Sequence, residues 1–257
     1  MLETENQGNI LILKLSDGMT NAIDLNTLRQ LDQAVKQVNE DPALKGLILT
    51  GEGRFFSSGF SLPMFIRFTT REEVTAFFEE QENILVNFFT CTKPVVTVMN
   101  GHSAAMGLIL SMASDYRIVK NHPKIKLGMS EIKIGLGLSI AQTAVMRFGL
   151  DSDKKYRDVM YFGNMMDVNR ARELEIVDEV AEEENLIDRA KEVISLWIDT
   201  PNHPFIQIKR MLKKDTAEKI RQELQKTDWQ SEMCNTLLNL EVKATLEFVQ
   251  AAMESKK

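Results

Sequence analysis

The sequence predicts an α/β fold with a helical C-terminal region, and two patterns point to it. In the first part of the chain, short runs of branched apolar residues, typical of buried strands, alternate with apolar stripes at helical spacing. From residue 205 onward the stripes are helical and no strand-like run follows. Because alternating strands and helices form layered α/β domains, we predict an α/β core over residues 1–194 and an all-helical region over residues 195–257.

The first elements follow in order along the chain. Residues 10–15 and 47–50 are apolar and branched, and they predict two buried strands. Between them, residues 24–38 carry apolar side chains at helical spacing, with Asp24 in an N-cap position and Pro42 beyond the end. Residues 71–89 predict a long amphipathic helix. The glutamates of this helix are expected to be solvated: Glu72, Glu73, Glu79, Glu80 and Glu82.

The remaining elements continue the alternation before it stops. Residues 94–99 predict a strand and residues 104–114 a helix of small residues. Further strands are predicted over residues 116–120 and 124–128, and further helices over residues 140–148, 153–162, 167–174 and 185–199. A break at residues 201–204, which begin and end with proline, precedes two or three helices over residues 205–257.

Composition and charge narrow the class of protein. The chain has 257 residues, 44% apolar and 26% charged, and no window is long and apolar enough to span a membrane. Its 31 basic and 37 acidic residues give a net charge of −6, which disfavours attraction to nucleic acid. We therefore predict a soluble globular protein with no membrane and no nucleic-acid partner.

Cysteine usage and the chain ends predict a cytoplasmic protein. Cys91 and Cys234 lie far apart and lack metal-ligand spacing, which is typical of a reducing compartment. No grouping of His, Cys and Asp predicts a metal site. The acidic N-terminal residues have no signal-peptide character, and residues 254–257 do not form a peroxisomal Ser-Lys-Leu address.

Two strand-to-helix junctions carry the functional signal. Residues 46–50 lead into Phe-Ser-Ser-Gly-Phe-Ser-Leu (residues 56–62), and residues 94–99 lead into Asn-Gly-His-Ser-Ala-Ala-Met-Gly (residues 100–107). The first N–H groups of a helix have no intrahelical partner, and the helix dipole makes that end electropositive. Two such donors aimed at one point form an oxyanion hole for acyl chemistry. Taken alone, a junction of this kind is more often an ordinary tight turn.

The residues at these junctions resemble the crotonase (enoyl-CoA hydratase/isomerase) superfamily. Residues 56–62 resemble its first oxyanion loop, and residues 100–118 resemble its second loop and the helix that follows. The resemblance covers almost the whole chain. It implies an enzyme with a crotonase-type spiral of repeated β-β-α units and a helical C-terminal region used for trimerisation. It also implies a homotrimer or a dimer of trimers that acts on an acyl-CoA substrate.

The resemblance assigns the oxyanion donors to two backbone N–H groups. These are the N–H of Phe60, directly after Gly59, and the N–H of Met106. The family usually has glycine at the position of Met106. Because methionine at positive φ would be strained, we predict a right-handed helical or bridge conformation there. Ser61 stands where the family commonly has aspartate.

Glu131 is the predicted catalytic carboxylate. By resemblance it matches the family's Pro-Glu-x-x-x-Gly position, which carries a carboxylate in many members. A glutamate surrounded by Ile, Leu and Met side chains has its charged form disfavoured, which raises its pKa towards the range useful to a general base. On spacing alone, a glutamate in a surface loop is slightly favoured over a catalytic one.

A second carboxylate is missing from the position where hydratases of the family carry one. That position, three residues after Met106, is Ile109, and no carboxylate occurs from Ser103 to Ser114. The resemblance therefore implies a Δ3,Δ2-enoyl-CoA isomerase, in which one glutamate shuttles the proton. Two alternatives stay open: a hydratase or another enolate chemistry of the family, and an acyl-CoA-binding homologue with weak catalysis.

The resemblance also implies how coenzyme A is held, as part of the substrate and without a permanently bound cofactor. The implied contacts near the adenine and the thioester arm are Ser58, Gly59, Ser61, Leu62 and Ala105. A basic side chain of the C-terminal helices is expected to meet a phosphate. The candidates are Lys209 and Lys243.

Overall fold

The structure, a computed structural model, describes residues 1–254 and contains two β-sheets. The last three residues of the predicted helical region 195–257 therefore lie outside the described residues. The predicted absence of a C-terminal address also falls on these three residues. The strands are β1 (Leu2–Gln7), β2 (Ile10–Leu15), β3 (Gly46–Gly51), β4 (Phe55–Ser57), β5 (Val95–Met99), β6 (His102–Ala104), β7 (Tyr116–Lys120), β8 (Leu127–Gly128), β9 (Met165–Met166) and β10 (Glu179–Ala181).

The larger sheet has the order β1-β2-β3-β5-β7-β10 and is parallel except for the edge strand β1. The smaller sheet has the order β4-β6-β8-β9. In each of three successive repeats of the fold, a strand of the large sheet is followed closely by a strand of the small one: β3 by β4, β5 by β6 and β7 by β8. Because β4, β6 and β8 belong to one sheet, the segments that follow them begin on the same side of the molecule.

The helices fill the connections and the C-terminal region. They are α1 (Leu25–Glu40), α2 (Leu62–Ile66), α3 (Arg71–Phe89), α4 (Met106–Ala113), α5 (Ile140–Leu150), α6 (Asp153–Met160), α7 (Val168–Glu173), α8 (Leu186–Ile198), α9 (Pro204–Lys226), α10 (Trp229–Leu237) and α11 (Leu240–Glu254). Short 3-10 helices span Glu131–Ile134 and Glu183–Asn185. The predicted α/β fold and helical C-terminal region are confirmed.

Alternating side chains of the large sheet form two cores, as the period of two in a strand requires. Ile10, Ile12 and Ile48 point towards α8, where Ala190 and Ile194 cover them. The intervening leucines of β2 and β3 face the main core with the other helices. Since α8 covers the sheet, the predicted boundary at residue 195 shifts: it falls inside α8, and the C-terminal helices begin with α9.

Several predicted boundaries change because of local pairing. The edge strand β1 was missed because, of its six residues, only Leu2 is buried, so it has no apolar run. The strand predicted over residues 124–128 is limited to Leu127–Gly128, and the helix predicted over 104–114 begins at Met106 because residues 102–104 form β6. The predicted N-cap is confirmed: the Asp24 carboxylate accepts the Thr27 N–H at 2.7 Å.

The prediction that the α3 glutamates are all solvated is wrong for Glu82. Its side chain is fully buried, and its carboxylate accepts the N–H of Ala141 at the start of α5 at 2.7 Å. The N-terminus of a helix offers unpaired N–H groups and a positive dipole end, so it can hold a carboxylate inside the protein. Helical periodicity on α3 alone does not reveal this contact, because the partner lies 59 residues away.

Residues 1–254 contain neither a membrane-spanning helix nor a cluster of metal ligands. No helix in that range has the length and hydropathy that a membrane span requires. Within the same range, no group of three or more His, Cys, Asp or Glu side chains is arranged to hold a metal ion.

Candidate active site

The two strand-to-helix junctions meet at Gly59. This glycine has φ of +97°, and a Cβ built on it would lie 2.4 Å from the Cβ of Ala105 and 3.1 Å from the backbone nitrogen of Met106. Real Cβ atoms do not approach so closely, and L side chains rarely adopt this φ. Only glycine therefore lets the first junction come so close to the second.

Two backbone N–H groups stay unpaired at this meeting point. Within the described part of the chain, neither Phe60 N–H nor Met106 N–H has a hydrogen-bond acceptor. Three neighbouring N–H groups are engaged: the N–H of Gly59 donates to Ser57 Oγ at 3.1 Å, that of Ser61 to Ile23 O at 2.9 Å, and that of Ala105 to Gly128 O at 3.2 Å. Both donors assigned to the oxyanion hole are thus free, as such a site requires.

The backbone strain of the second junction lies at Ala105 and not at Met106. Met106 is the first residue of α4 and is helical, so its predicted conformation is confirmed. Ala105, the N-cap, has φ of 54° and ψ of −128°, a region that alanine rarely adopts. Such a conformation costs on the order of 1–3 kcal/mol and persists where surrounding contacts hold it. Here the contacts are Ala105 N–H to Gly128 O and Ile109 N–H to Ala105 O.

Glu131 is buried at the start of the 3-10 helix that follows β8. Its side chain is 8% exposed, and Oε2 has no hydrogen-bond partner among the described residues. Burial raises the pKa of Glu131 to about 7, against an opposing effect of backbone hydrogen bonds at Glu131 and Ser130. A carboxyl group with this pKa gains and loses a proton readily at neutral pH.

Glu131, Phe60 and Met106 line one cavity of about 350 Å³. Its mouth is formed by exposed residues of the loop before α1 and of the end of α11, including Gly18, Met19 and Met253. Its floor is formed by buried side chains: Phe65, Phe78, Met106, Ile109, Glu131, Gln142, Met233 and Leu237. The cavity is therefore a deep and largely apolar chamber with a carboxyl group and two unpaired N–H groups in its wall.

Glu131 is the single buried carboxyl group in the described lining of this cavity. The other two acids of the lining, Asp17 and Glu254, are exposed at the mouth. Ile109, one turn into α4, also lines the cavity. This is the position at which the sequence carries an isoleucine instead of a second carboxylate. The chamber can thus exchange one proton with a bound molecule through one buried acid.

Most residues predicted to contact coenzyme A surround the same opening. Ser58, Ser61, Leu62 and Ala105 line the cavity, and Gly59 lies between the two junctions. Ser61 is the N-cap of α2 but makes no side-chain cap bond, so its hydroxyl is not committed to the helix. These positions agree with a shared binding surface.

The structure does not bring Lys209 to this cavity. Lys209 is buried, and its ammonium group donates to Asp115 Oδ2 at 2.5 Å and to Lys93 O at 2.8 Å. Its assignment as a phosphate contact is therefore corrected, since the charge is neutralised inside the fold. Lys243 is half-buried on α11 and donates to Phe68 O beside α2, where it remains the candidate.

Sequence reasoning missed the buried charge cluster around Asp115. The carboxylate of Asp115 also binds Lys213 at 2.7 Å, and the Lys213 ammonium lies 4.5 Å from the ring centre of Phe89. Burial alone would raise the pKa of Asp115, but the two ammonium groups hold it below its usual range. Local patterns carry no signal for pairs about a hundred residues apart, and Gln142 in the cavity floor was missed for the same reason.

The chain belongs to the enoyl-CoA hydratase/isomerase family, whose model matches residues 5–250. With this family it shares the crotonase fold, and it is an enzyme of the isomerase/hydratase class. The enoyl-CoA delta isomerase 1 of Mus musculus mitochondria is 24% identical over 222 residues, covering 86% of this chain and 76% of the relative. The crotonyl-CoA hydratase of Syntrophomonas wolfei is 26% identical over 195 residues, covering 75% of this chain and 73% of the relative.

Solved structures show the same fold over the full length. The human mitochondrial Δ3,Δ2-enoyl-CoA isomerase superposes with a TM-score of 0.90 at 19% identity, covering 100% of this chain and 99% of that one. An enoyl-CoA hydratase from Bacillus halodurans gives a TM-score of 0.83 at 20% identity, with coverage of 96% and 98%. At these identities the likeness establishes the fold.

Proposed function

We propose that this protein is a Δ3,Δ2-enoyl-CoA isomerase that works with a single glutamate. One observation carries the proposal: Glu131 is the one buried carboxyl group in the described lining of a cavity that also presents the N–H groups of Phe60 and Met106. Ile109 occupies the position where a second carboxylate would activate and orient a water molecule.

The proposed reaction moves one proton from C2 to C4 of a 3-enoyl thioester. The Glu131 carboxylate removes a C2 proton, and the electron pair of that C–H bond forms the C1=C2 bond of a dienolate. The charge on the thioester oxygen is held by the two backbone N–H groups, each worth roughly 2.7–4 kcal/mol to an oxyanionic transition state. Glu131, now protonated, delivers the proton to C4, and the double bond ends between C2 and C3.

Two features support an acyl-CoA substrate and an oligomer. Ser58, Ser61 and Leu62 line the cavity, and Lys243 is the proposed contact of a CoA phosphate, with no permanently bound cofactor. Helix α9 exposes Ile208, Met211 and Leu212, which is consistent with a covered face in a homotrimer or a dimer of trimers. We also propose a cytoplasmic location, on the grounds given by the sequence.

The test compares two substrates with two variants. We expect the protein to convert 3-hexenoyl-CoA to the 2-enoyl ester and not to hydrate 2-hexenoyl-CoA. Glu131→Gln, which keeps the shape and removes the base, is expected to lose at least about 1,000-fold in kcat while still binding the ester. Glu184→Gln, on an exposed glutamate, is the matched control. Hydration of 2-hexenoyl-CoA at a comparable rate, or full activity of Glu131→Gln, would refute the single-glutamate mechanism.

A further inference from the structure

The floor of the cavity ends on a buried polar cluster that the proposed reaction does not use. It consists of four side chains from α3 and from the start of α5: Gln81, Glu82, Ser139 and Gln142. All four are buried. Gln142 Nε2 donates to Gln81 Oε1 at 3.0 Å, the Ser139 hydroxyl to the same oxygen at 3.5 Å, and Ala141 N–H to Glu82 at 2.7 Å.

This cluster is incompletely hydrogen-bonded. Gln81 Nε2 and Glu82 Oε1 are buried and have no partner among the described residues. The Gln142 amide carries two N–H bonds, and within residues 1–254 its nitrogen donates to Gln81 alone. Buried polar groups are nearly always paired, because leaving one unpaired costs its full desolvation. The cluster therefore keeps unpaired donors and acceptors, and the second N–H of Gln142 is the one on a side chain that lines the cavity.

Gln142 is the member of the cluster that reaches the cavity. It lines the cavity, whose wall also includes the apolar side chains of Phe78, Leu136 and Leu138. Its amide is held in place from both ends, since its oxygen accepts Ser139 N–H at 3.1 Å and its nitrogen is bonded to Gln81. A fixed amide in an apolar wall distinguishes a bound group that accepts a hydrogen bond from one that does not.

From this arrangement we infer that Gln142 is a specificity-determining residue. The cavity takes acyl groups that carry a neutral oxygen function, either a hydroxyl or a carbonyl, on the part of the acyl chain that reaches Gln142. The inference rests on the proposed function in that the ligand is an acyl-CoA ester. An ionised carboxylate is disfavoured there, because Glu82 contributes the acidic group of the cluster and the described contacts of the cluster include no cationic side chain.

Equilibrium binding of saturated esters tests the inference apart from the isomerase chemistry. Hexanoyl-, octanoyl- and decanoyl-CoA are compared by calorimetry with the same esters hydroxylated at the terminal carbon. Because these esters have no double bond, their binding does not depend on turnover. One well-placed hydrogen bond is expected to make the hydroxylated ester of at least one length bind about tenfold more tightly.

Two variants assign the preference to the amide. Gln142→Met keeps the length of the side chain and removes its hydrogen bonds, so it is expected to bind both esters of each pair equally. Gln250→Leu is the matched control, since Gln250 lines the same cavity but is bonded to the exposed Glu254. It is expected to keep the tenfold preference.

Three outcomes overturn the inference. The first is that the unmodified protein binds the hydroxylated ester no more tightly than the parent ester at every chain length. This result does not depend on the folding of any variant. The second is a preference that survives in Gln142→Met. The third is the absence of binding by any ester, which would refute the proposed function as well, whereas equal binding leaves the proposed function intact.

Discussion

Gly59 touches Ala105, and this contact aligns the two junctions of the active site. The space between the two residues has no room for a Cβ on Gly59, which would lie 2.4 Å from the Cβ of Ala105. The position of the Phe60 N–H relative to the Met106 N–H therefore depends on the absence of a side chain at residue 59.

Gly59→Ala is expected to separate the two oxyanion donors. The new methyl group would push the junctions apart and would itself be strained at φ of +97°. We expect a loss of about 100- to 1,000-fold in kcat for 3-hexenoyl-CoA, the usual effect of removing one oxyanion donor. Gly137→Ala is the matched control: Gly137 also lines the cavity, but a Cβ there meets nothing within 4 Å. Similar losses in both variants would contradict the assignment.

Activity is expected to fall as the pH drops below about 7. Glu131 acts as a base only when ionised, and burial raises its pKa to about 7. The value of kcat/KM for 3-hexenoyl-CoA should therefore fall about tenfold for each pH unit well below this pKa and level off above it. The measurement is a pH profile between pH 5 and pH 9. A profile that stays flat down to pH 5 would show that Glu131 has the pKa of an exposed glutamate or is not the base.

Glu131→Gln is expected to stabilise the fold more at high pH than at low pH. Because the folded-state pKa lies above the ordinary value of 4.5, the folded state binds more protons than the unfolded state between these two values. The stability of the unmodified protein therefore decreases as the pH rises from 4.5 to about 7. At pH 8 the variant should gain up to about 3 kcal/mol in the free energy of unfolding, from roughly 1.36 kcal/mol per pKa unit.

Urea unfolding at pH 5 and pH 8 measures this difference. The gain at pH 8 should clearly exceed the gain at pH 5. Equal gains at both pH values would mean that burial does not disfavour the charged form of Glu131.

Asp115→Asn is expected to be strongly destabilising. It would leave Lys209 and Lys213 buried without a counter-charge, and breaking a buried ion pair costs about 3–5 kcal/mol. Asp153→Asn is the control, since Asp153 and its partner Arg147 form an ion pair in which both side chains are exposed. There the expected loss is about 1 kcal/mol or less. The measurement is the free energy of unfolding in urea for both variants. Equal losses of stability would contradict the conclusion that the buried charge cluster depends on Asp115.

The fold was predictable from sequence wherever the signal was local. The helix over residues 71–89 was placed at its observed ends, because Thr70 caps it and its apolar stripe is long. The edge strand β1 lacked such a signal, since only Leu2 of its residues is buried. Short strands such as β8, with two residues, are defined by pairing with distant segments and not by their own composition.

The candidate site was predictable only in part, for the same physical reason. Glu131, Phe60 and Met106 were named from short motifs, and the structure places them around one cavity. The partners of Lys209 and the burial of Glu82 depend on contacts between residues 94 and 59 positions apart, respectively. One-dimensional periodicity contains no information about such contacts. The conformation of Met106 was predicted from sequence, but the positive φ of its neighbour Ala105 was not.

The cavity wall begins at Asp17 and ends at Glu254, almost the full length of the chain. During synthesis the chamber therefore stays open until α11 has left the ribosome and docked. Nascent chains and degradation fragments that lack α11 have no closed chamber, so they are expected to release thioesters instead of trapping them. Catalytic turnover thus requires that α11 is present and docked against the rest of the cavity wall.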